Sequence, residues 1–179
     1  MCCAPDALYV FTLLRDEYGV TGFFSNSNIY PAEEYVLRRD EAWKVAGVLG
    51  VPLIEDEYDP DEWLVLTRKF KDDPEKGRRC DVCYALRLRK TAEIAASRGF
   101  DLFGTVLTLS PWKKAAVINR IGRQFGKKYG VSFLESDFKK KDGFKKSTDL
   151  SRSHNLYRQN YCGCLFSDLE RSERRARRV

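Results

Sequence analysis

The six cysteines of this 179-residue chain fall into three close pairs, Cys2-Cys3, Cys80-x-x-Cys83 and Cys162-x-Cys164. Close pairing suits soft-metal coordination, because one turn of chain then presents two thiolates to a single ion or cluster. Six thiols exceed the four that one tetrahedral ion or one cubane cluster takes. The surplus points to two metal sites, or to one site beside a redox-active dithiol, and Cys80-Asp-Val-Cys83 at a helix start fits either use. A structural zinc site would use four thiols and leave two idle. A disulfide framework fits poorly, because adjacent Cys2 and Cys3 would strain a bridge and a chain of this size builds a core without staples.

Other residues join these pairs. Asp6 lies one helical turn beyond Cys2 and Cys3, so its carboxylate serves either as a harder ligand at the same centre or as ordinary first-turn charge compensation. Arg78, Arg79 and Arg87 flank the second pair and would offset thiolate charge. Gly163 lets the backbone fold tightly between Cys162 and Cys164. Tyr157-Arg158-Gln159-Asn160-Tyr161 brings aromatic, guanidinium and amide groups together just before that turn, a mixture suited to stacking on and hydrogen bonding to an unpaired base. Asp137 is a candidate for proton transfer or a solvated loop acid, and His154 reads as a helix-surface residue.

The net charge is +6 with a pI near 9.0, and it is unevenly spread. Up to about Asp73 the chain is acidic; beyond it come basic runs at Lys113-Lys114, Lys127-Lys128, Lys139-Lys140-Lys141, Lys145-Lys146 and Arg171 to Arg178. Such a gradient suggests a polyanionic partner, although any single run serves equally as solvated surface. With 43% hydrophobic and 32% charged residues the composition is that of a soluble globular protein. No apolar run approaches membrane-spanning length and no signal peptide is visible, so the cytoplasm is expected, where thiols stay reduced.

The elements that must position these groups alternate. Helices are expected over Ala4–Tyr18, Ala32–Leu49, Asp59–Phe70, Cys83–Arg98, Pro111–Tyr129, Lys146–Asn155 and Leu165–Arg177. Strands are expected over Val20–Ser25, Val51–Ile54, Asp101–Leu109 and Val131–Leu134. This implies a single α/β domain over residues 1–179, a Rossmann-like parallel sheet flanked by helices with a basic helical C-terminal part. The alternation also calls for a strand before Met1, which would set Cys2-Cys3-Ala4-Pro5 at the carboxyl edge of the sheet, where such folds carry their sites.

Cys2-Cys-Ala-Pro5, Cys80-Asp-Val-Cys-Tyr-Ala-Leu-Arg-Leu-Arg89, Leu107-Thr-Leu-Ser-Pro111, Asp137-Phe-Lys-Lys140 and Leu156-Tyr-Arg-Gln-Asn-Tyr-Cys-Gly-Cys164 together resemble the QueH family of epoxyqueuosine reductases, over nearly the whole chain. The resemblance implies removal of the epoxide oxygen from epoxyqueuosine at the wobble base of tRNA, by iron–sulfur chemistry without cobalamin. Asp6 stands where members of that family often carry a further cysteine. On this basis Cys3, Cys80, Cys83 and Asp6 are expected to hold a [4Fe-4S] cluster, and Cys2, Cys162 and Cys164 a nearby second metal ion, expected to be iron. Asp137 and Tyr161 are the candidate proton donors, and Lys113, Lys114, Lys139, Lys140, Arg158 and Gln159 the candidates for contact with the tRNA anticodon region. An external one-electron donor is required. The competing readings are a zinc-stabilised RNA-binding module without catalysis and a thiol oxidoreductase using Cys80 and Cys83.

Overall fold

The computed structural model of the chain describes residues 1–176, apart from the side chain of Arg174. Helices and short strands alternate in the order α1 (Ala4–Leu14), β1 (Gly22–Phe24), α2 (Ala32–Leu49), β2 (Leu53–Glu55), α3 (Pro60–Thr67), α4 (Arg78–Ser97), β3 (Leu102–Phe103), α5 (Ala115–Tyr129), β4 (Ser132–Phe133), α6 (Gly143–Ser153) and α7 (Leu165–Ala176). The expected end of the last helix at Arg177, and of the basic run at Arg178, lie outside the described residues. Gly50 and Gly130 take left-handed φ values of 64° and 71° and close α2 and α5 where the sequence places their ends.

The strands are shorter than their apolar runs. The run 101–109 contributes only Leu102–Phe103, because the Thr105 hydroxyl accepts from the Leu107 N–H at 3.2 Å and caps a 3₁₀ turn over Val106–Leu109. Similarly, α5 starts at Ala115 rather than Pro111, since Lys113 N–H donates to Ser110 O in a separate turn. In the other direction α4 starts at Arg78, five residues before Cys83, so both thiols of the second pair ride on its first turns.

β1 pairs in parallel with β2, with Phe23 opposite Ile54, and β3 with β4, with Phe103 opposite Phe133. The α/β class with parallel strands and flanking helices is therefore present, but among the described residues as two two-stranded sheets rather than one. Between them run the first residues: the Met1 amine donates to Phe23 O and Met1 O accepts from Asn26 Nδ2 at 2.9 Å. That alignment delivers Cys2 and Cys3 beyond the carboxyl end of β1.

Two apolar clusters frame this point. Leu88, Ala92 and Ala95 of α4 pack with Ile118 and Ile121 of α5, Phe103 and Val131, and Cys2 and Cys3 belong to the same cluster. Leu8 and Phe11 of α1 pack against Val45 of α2, Val106 and Leu109. Fully burying a side chain such as Leu88 or Ile118 stabilises by about 1.5–3 kcal/mol, so the thiol region sits on well-anchored elements. Among the described residues no helix is long and apolar enough to cross a membrane.

The close approach of α5 to the chain entering β4 rests on Gly126, where an added Cβ would meet the Val131 carbonyl at 2.7 Å. Gly126→Ala should cost about 1–3 kcal/mol in urea unfolding. Gly19→Ala, with nothing within 4 Å of the new methyl, should change stability by less than about 0.5 kcal/mol. Equal effects at the two positions would contradict this packing.

Candidate metal centre

Helical periodicity builds one wall of the site. Cys80, Cys83, Tyr84 and Arg87 stand at i, i+3, i+4 and i+7 of α4 and so share a face. Lys76 N–H donates to Cys80 Sγ at 3.3 Å, and Cys83 packs against the Trp63 ring of α3. Arg78 and Arg79 fall off this stripe: Arg78 pairs with Asp73, and Arg79 donates to the carbonyls of Lys71 and Asp73 and to Glu170. Of the three arginines expected to offset the thiols, Arg87 alone faces them.

The start of α1 builds the second wall. Cys3 is its N-cap residue, with its carbonyl accepting from Ala7 N–H, and Ser147 of α6 fixes the turn by donating to Pro5 O at 3.0 Å. The Sγ atoms of Cys2 and Cys3 and a carboxylate oxygen of Asp6 lie within 4.8 Å of one another, all three residues being buried. Gln159 hydrogen-bonds to Cys3, and the charge of Arg158 acts on Asp6.

The third wall is the turn at residues 162–164. Gly163 takes φ 109°, and its backbone lies flat against the guanidinium of Arg38: an added Cβ would be 2.8 Å from Nη1. Arg38, 2% exposed on α2, donates to Cys162 O at 3.1 Å and to Glu34 at 2.7 Å, while Tyr30 N–H donates to Gly163 O at 2.7 Å. Ser167 clasps the turn from both sides, accepting from Cys162 N–H at 3.3 Å and donating its own N–H to Cys164 Sγ at 3.4 Å.

Charge ties the walls together. All six cysteines are free thiols. Cys162 hydrogen-bonds to Cys164, and Cys2 to Cys3, and in each pair the first thiol is held well below the usual range while its neighbour is held above. Lys113 supplies the shared countercharge: its Nζ is 3.4 Å from Cys162 Sγ and its charge also favours the Cys2 thiolate, as does that of Arg87. Burial pushes the Cys80 thiol up to about 11 and raises Cys83, and both feel the charge of Cys162. Burial, then the Cys2 charge, pushes Asp6 up to about 7. Cations beside buried thiols favour the thiolate, which is the form that binds metal.

The structure thus brings together Cys2, Cys3, Asp6, Cys80, Cys83, Cys162, Cys164, Lys113, Arg158 and Gln159. Lys113 faces inward, not toward the outer surface. Arg158 also donates to Ser151 Oγ at 3.0 Å. Asp137 pairs with Lys139 on the loop after β4, and Lys114 and Lys140 are exposed. Tyr161 donates its O–H to Tyr30 O. Sequence reasoning passed over Arg38, because nothing in a lone arginine within a helix signals that it braces a turn 124 positions later.

Gly163→Ala should disturb this turn through both its left-handed φ and the Arg38 contact, costing about 1–3 kcal/mol and lowering retention of bound metal. Thermal unfolding and metal analysis of the purified variant would check it; unchanged values for both would contradict the close approach.

The sequence model of the family described as Epoxyqueuosine reductase QueH matches residues 1–170. The chain is 39% identical over 179 residues to the epoxyqueuosine reductase QueH of Thermotoga maritima, covering 98% of this chain and 92% of that protein. It is 37% identical to the protein of that name from Streptococcus pyogenes, covering 93% of this chain and 68% of the relative, and 36% identical to that of Staphylococcus aureus, covering 94% and 74%. A match over this span, together with three thiol pairs gathered at one buried centre, places the chain in the QueH family of epoxyqueuosine reductases.

Proposed function

We propose that this chain is an oxidoreductase that converts epoxyqueuosine at the wobble base of tRNA to queuosine, using an iron–sulfur cluster and a second metal ion held by its thiols and Asp6. The observation that carries the reading is the convergence of three thiol pairs, distant in sequence, on one buried centre flanked by Lys113 and Arg87.

The donor set fits such groups. Unbridged thiols gathered out of water, two of which, Cys2 and Cys162, are held as thiolates by cations, are soft ligands, and the count of six thiols plus one carboxylate matches a four-thiolate cluster beside a three-ligand ion. Cys80, Cys83, Cys162 and Cys164 would hold the [4Fe-4S] cluster, since their charges act on one another and Cys162 bonds to Cys164. Cys2, Cys3 and Asp6 would hold the second ion, iron, because their ligand atoms already cluster. This grouping differs from the one expected from sequence, in which Asp6 and Cys3 joined the second pair. When bound, the two centres supply single electrons and Lewis acidity toward the epoxide oxygen.

Turning an epoxide into an alkene and water consumes two electrons and two protons, so an external one-electron donor is also part of the proposal. Lys113 holds the Cys162 charge and Arg87 that of Cys2, so reduced states of the site are not penalised by bare anions. Gln159 hydrogen-bonds to Cys3, and the segment leading to Cys162 also carries Arg158, whose charge acts on Asp6, and Tyr161, which donates to Tyr30 O. Tyr161 is a weaker proton-donor candidate than its position suggests, because burial raises its pKa and its hydroxyl is committed to Tyr30 O. The exposed lysines Lys114, Lys140, Lys145 and Lys146 are suited to the tRNA backbone.

Protein prepared without oxygen should carry more iron than one cubane cluster accounts for, with acid-labile sulfide. Cys162→Ser should abolish the visible absorbance of a cluster, whereas Cys2→Ser should retain it and lose iron. Stoichiometric zinc without sulfide would defeat the reading in favour of a zinc-stabilised RNA-binding module. Binding to the anticodon stem-loop should weaken by about tenfold or more between 50 and 200 mM salt, as phosphate contacts release counterions. Affinity that ignores ionic strength would remove the basic surface from the account.

A further inference from the structure

A cavity of about 270 Å³ opens beside the Cys162 turn, lined by Glu75, Asn160, Tyr161, Ser167 and Arg171, with a second carboxylate, Glu170, and a second arginine, Arg175. It adjoins the thiols directly: Ser167 accepts from Cys162 N–H at 3.3 Å, and the charge of Cys162 acts on Glu75. Its volume lies just below the about 300–1,000 Å³ of sites that take whole drug-sized ligands, a size that suits one heterocycle.

The lining is rigid on one side and uncommitted on the other. Arg171 lies 4.2 Å over the Tyr161 ring and donates to Asn160 Oδ1 at 2.8 Å, while Arg38 covers Tyr161 at 5.3 Å; the stack forms a fixed flat slab. Opposite chemistry comes from Glu75. It is half-buried, yet it enters no hydrogen bond or ion pair among the described residues, in contrast to Glu34, Asp73 and Asp168, each held by an arginine. The charges of Lys113 and Lys76 act on Glu75 without a hydrogen bond and that of Glu170 opposes it, so its oxygens remain available to the donors of a ligand.

We propose that this cavity receives the heterocycle of the wobble nucleotide, a 7-deazaguanine turned out of the anticodon stack, and that Glu75 reads its edge. A guanine-type edge presents N1–H and an exocyclic amino group side by side, and one carboxylate accepts from both. The Arg171–Tyr161 slab provides a face for the ring to stack on, as unpaired bases stack on aromatic and guanidinium planes in other RNA sites. This assignment rests on the reductase reading above.

Steady-state kinetics on an anticodon stem-loop carrying epoxyqueuosine test it. Glu75→Ala and Glu75→Gln should each raise KM by about 10- to 100-fold with a much smaller change in kcat, as expected for loss of a two-point base contact, and should keep the iron content and visible spectrum of the unsubstituted protein. As competitive inhibitors, stem-loops with guanosine at the wobble position should outperform those with inosine, which lacks the amino group, for the unsubstituted protein and not for Glu75→Ala. An unchanged KM, a loss confined to kcat, a loss of iron in both variants, or guanosine–inosine discrimination that survives Glu75→Ala would overturn the assignment while leaving the reductase reading in place. An unsubstituted, iron-loaded protein that turns over none of this RNA would overturn the reductase reading, and this assignment with it.

Discussion

The structure is governed by the cost of gathering anionic sulfur away from water. Cys2, Cys3 and Cys164 are each less than a tenth exposed, and the remaining thiols are half-buried against them. Thiolates at such proximity repel one another and are poorly solvated, so only Cys2 and Cys162, which face cations, are held below the usual thiol range, while Cys3, Cys80, Cys83 and Cys164 are pushed above it. Lys113 and Arg87 are those cations. Metal ions would supply countercharge far more completely, because each thiolate would then bind it directly.

The fold delivers these groups from both sides of one edge. Met1 runs along β1 and releases Cys2 and Cys3 past its carboxyl end, while the helical stripe of α4 presents Cys80, Cys83 and Arg87 toward the same point, with Arg87 donating to Asn26 Oδ1 at 2.8 Å. The last pair has no strand or helix of its own to ride on. Its turn is instead held by Arg38 and Tyr30 from the α2 side and by Ser167 from α7, which fixes the Cys-Gly-Cys segment and its two thiols. That bracing matters for redox chemistry, where ligands that do not move keep reorganisation small.

Much of this was legible in the residues. The thiol pairing, the glycine stops after α2 and α5, the parallel α/β class and the family pattern are all local or composition-level signals, and each holds in the structure or the comparisons. Strand lengths were not legible: an apolar run such as 101–109 does not announce that Thr105 will cap a 3₁₀ turn in its middle. Nor was the meeting of the pairs in space, because spacing says only which thiols are neighbours along the chain. Lys113 illustrates the same limit. In sequence it belongs to a basic run that suits phosphate, yet the turn before α5 points its ammonium at Cys162. Glu75 gave no signal at all, since its meaning lies in the partner it lacks.

The most direct test of the central claim is an anomalous diffraction map at the iron absorption edge, from crystals grown without oxygen. Two separate iron peaks are expected, a compact multi-iron peak among Cys80, Cys83, Cys162 and Cys164 and a weaker one at Cys2, Cys3 and Asp6. No iron signal, or a single peak bound by one thiol pair with the others remote or bridged as cystines, would contradict it.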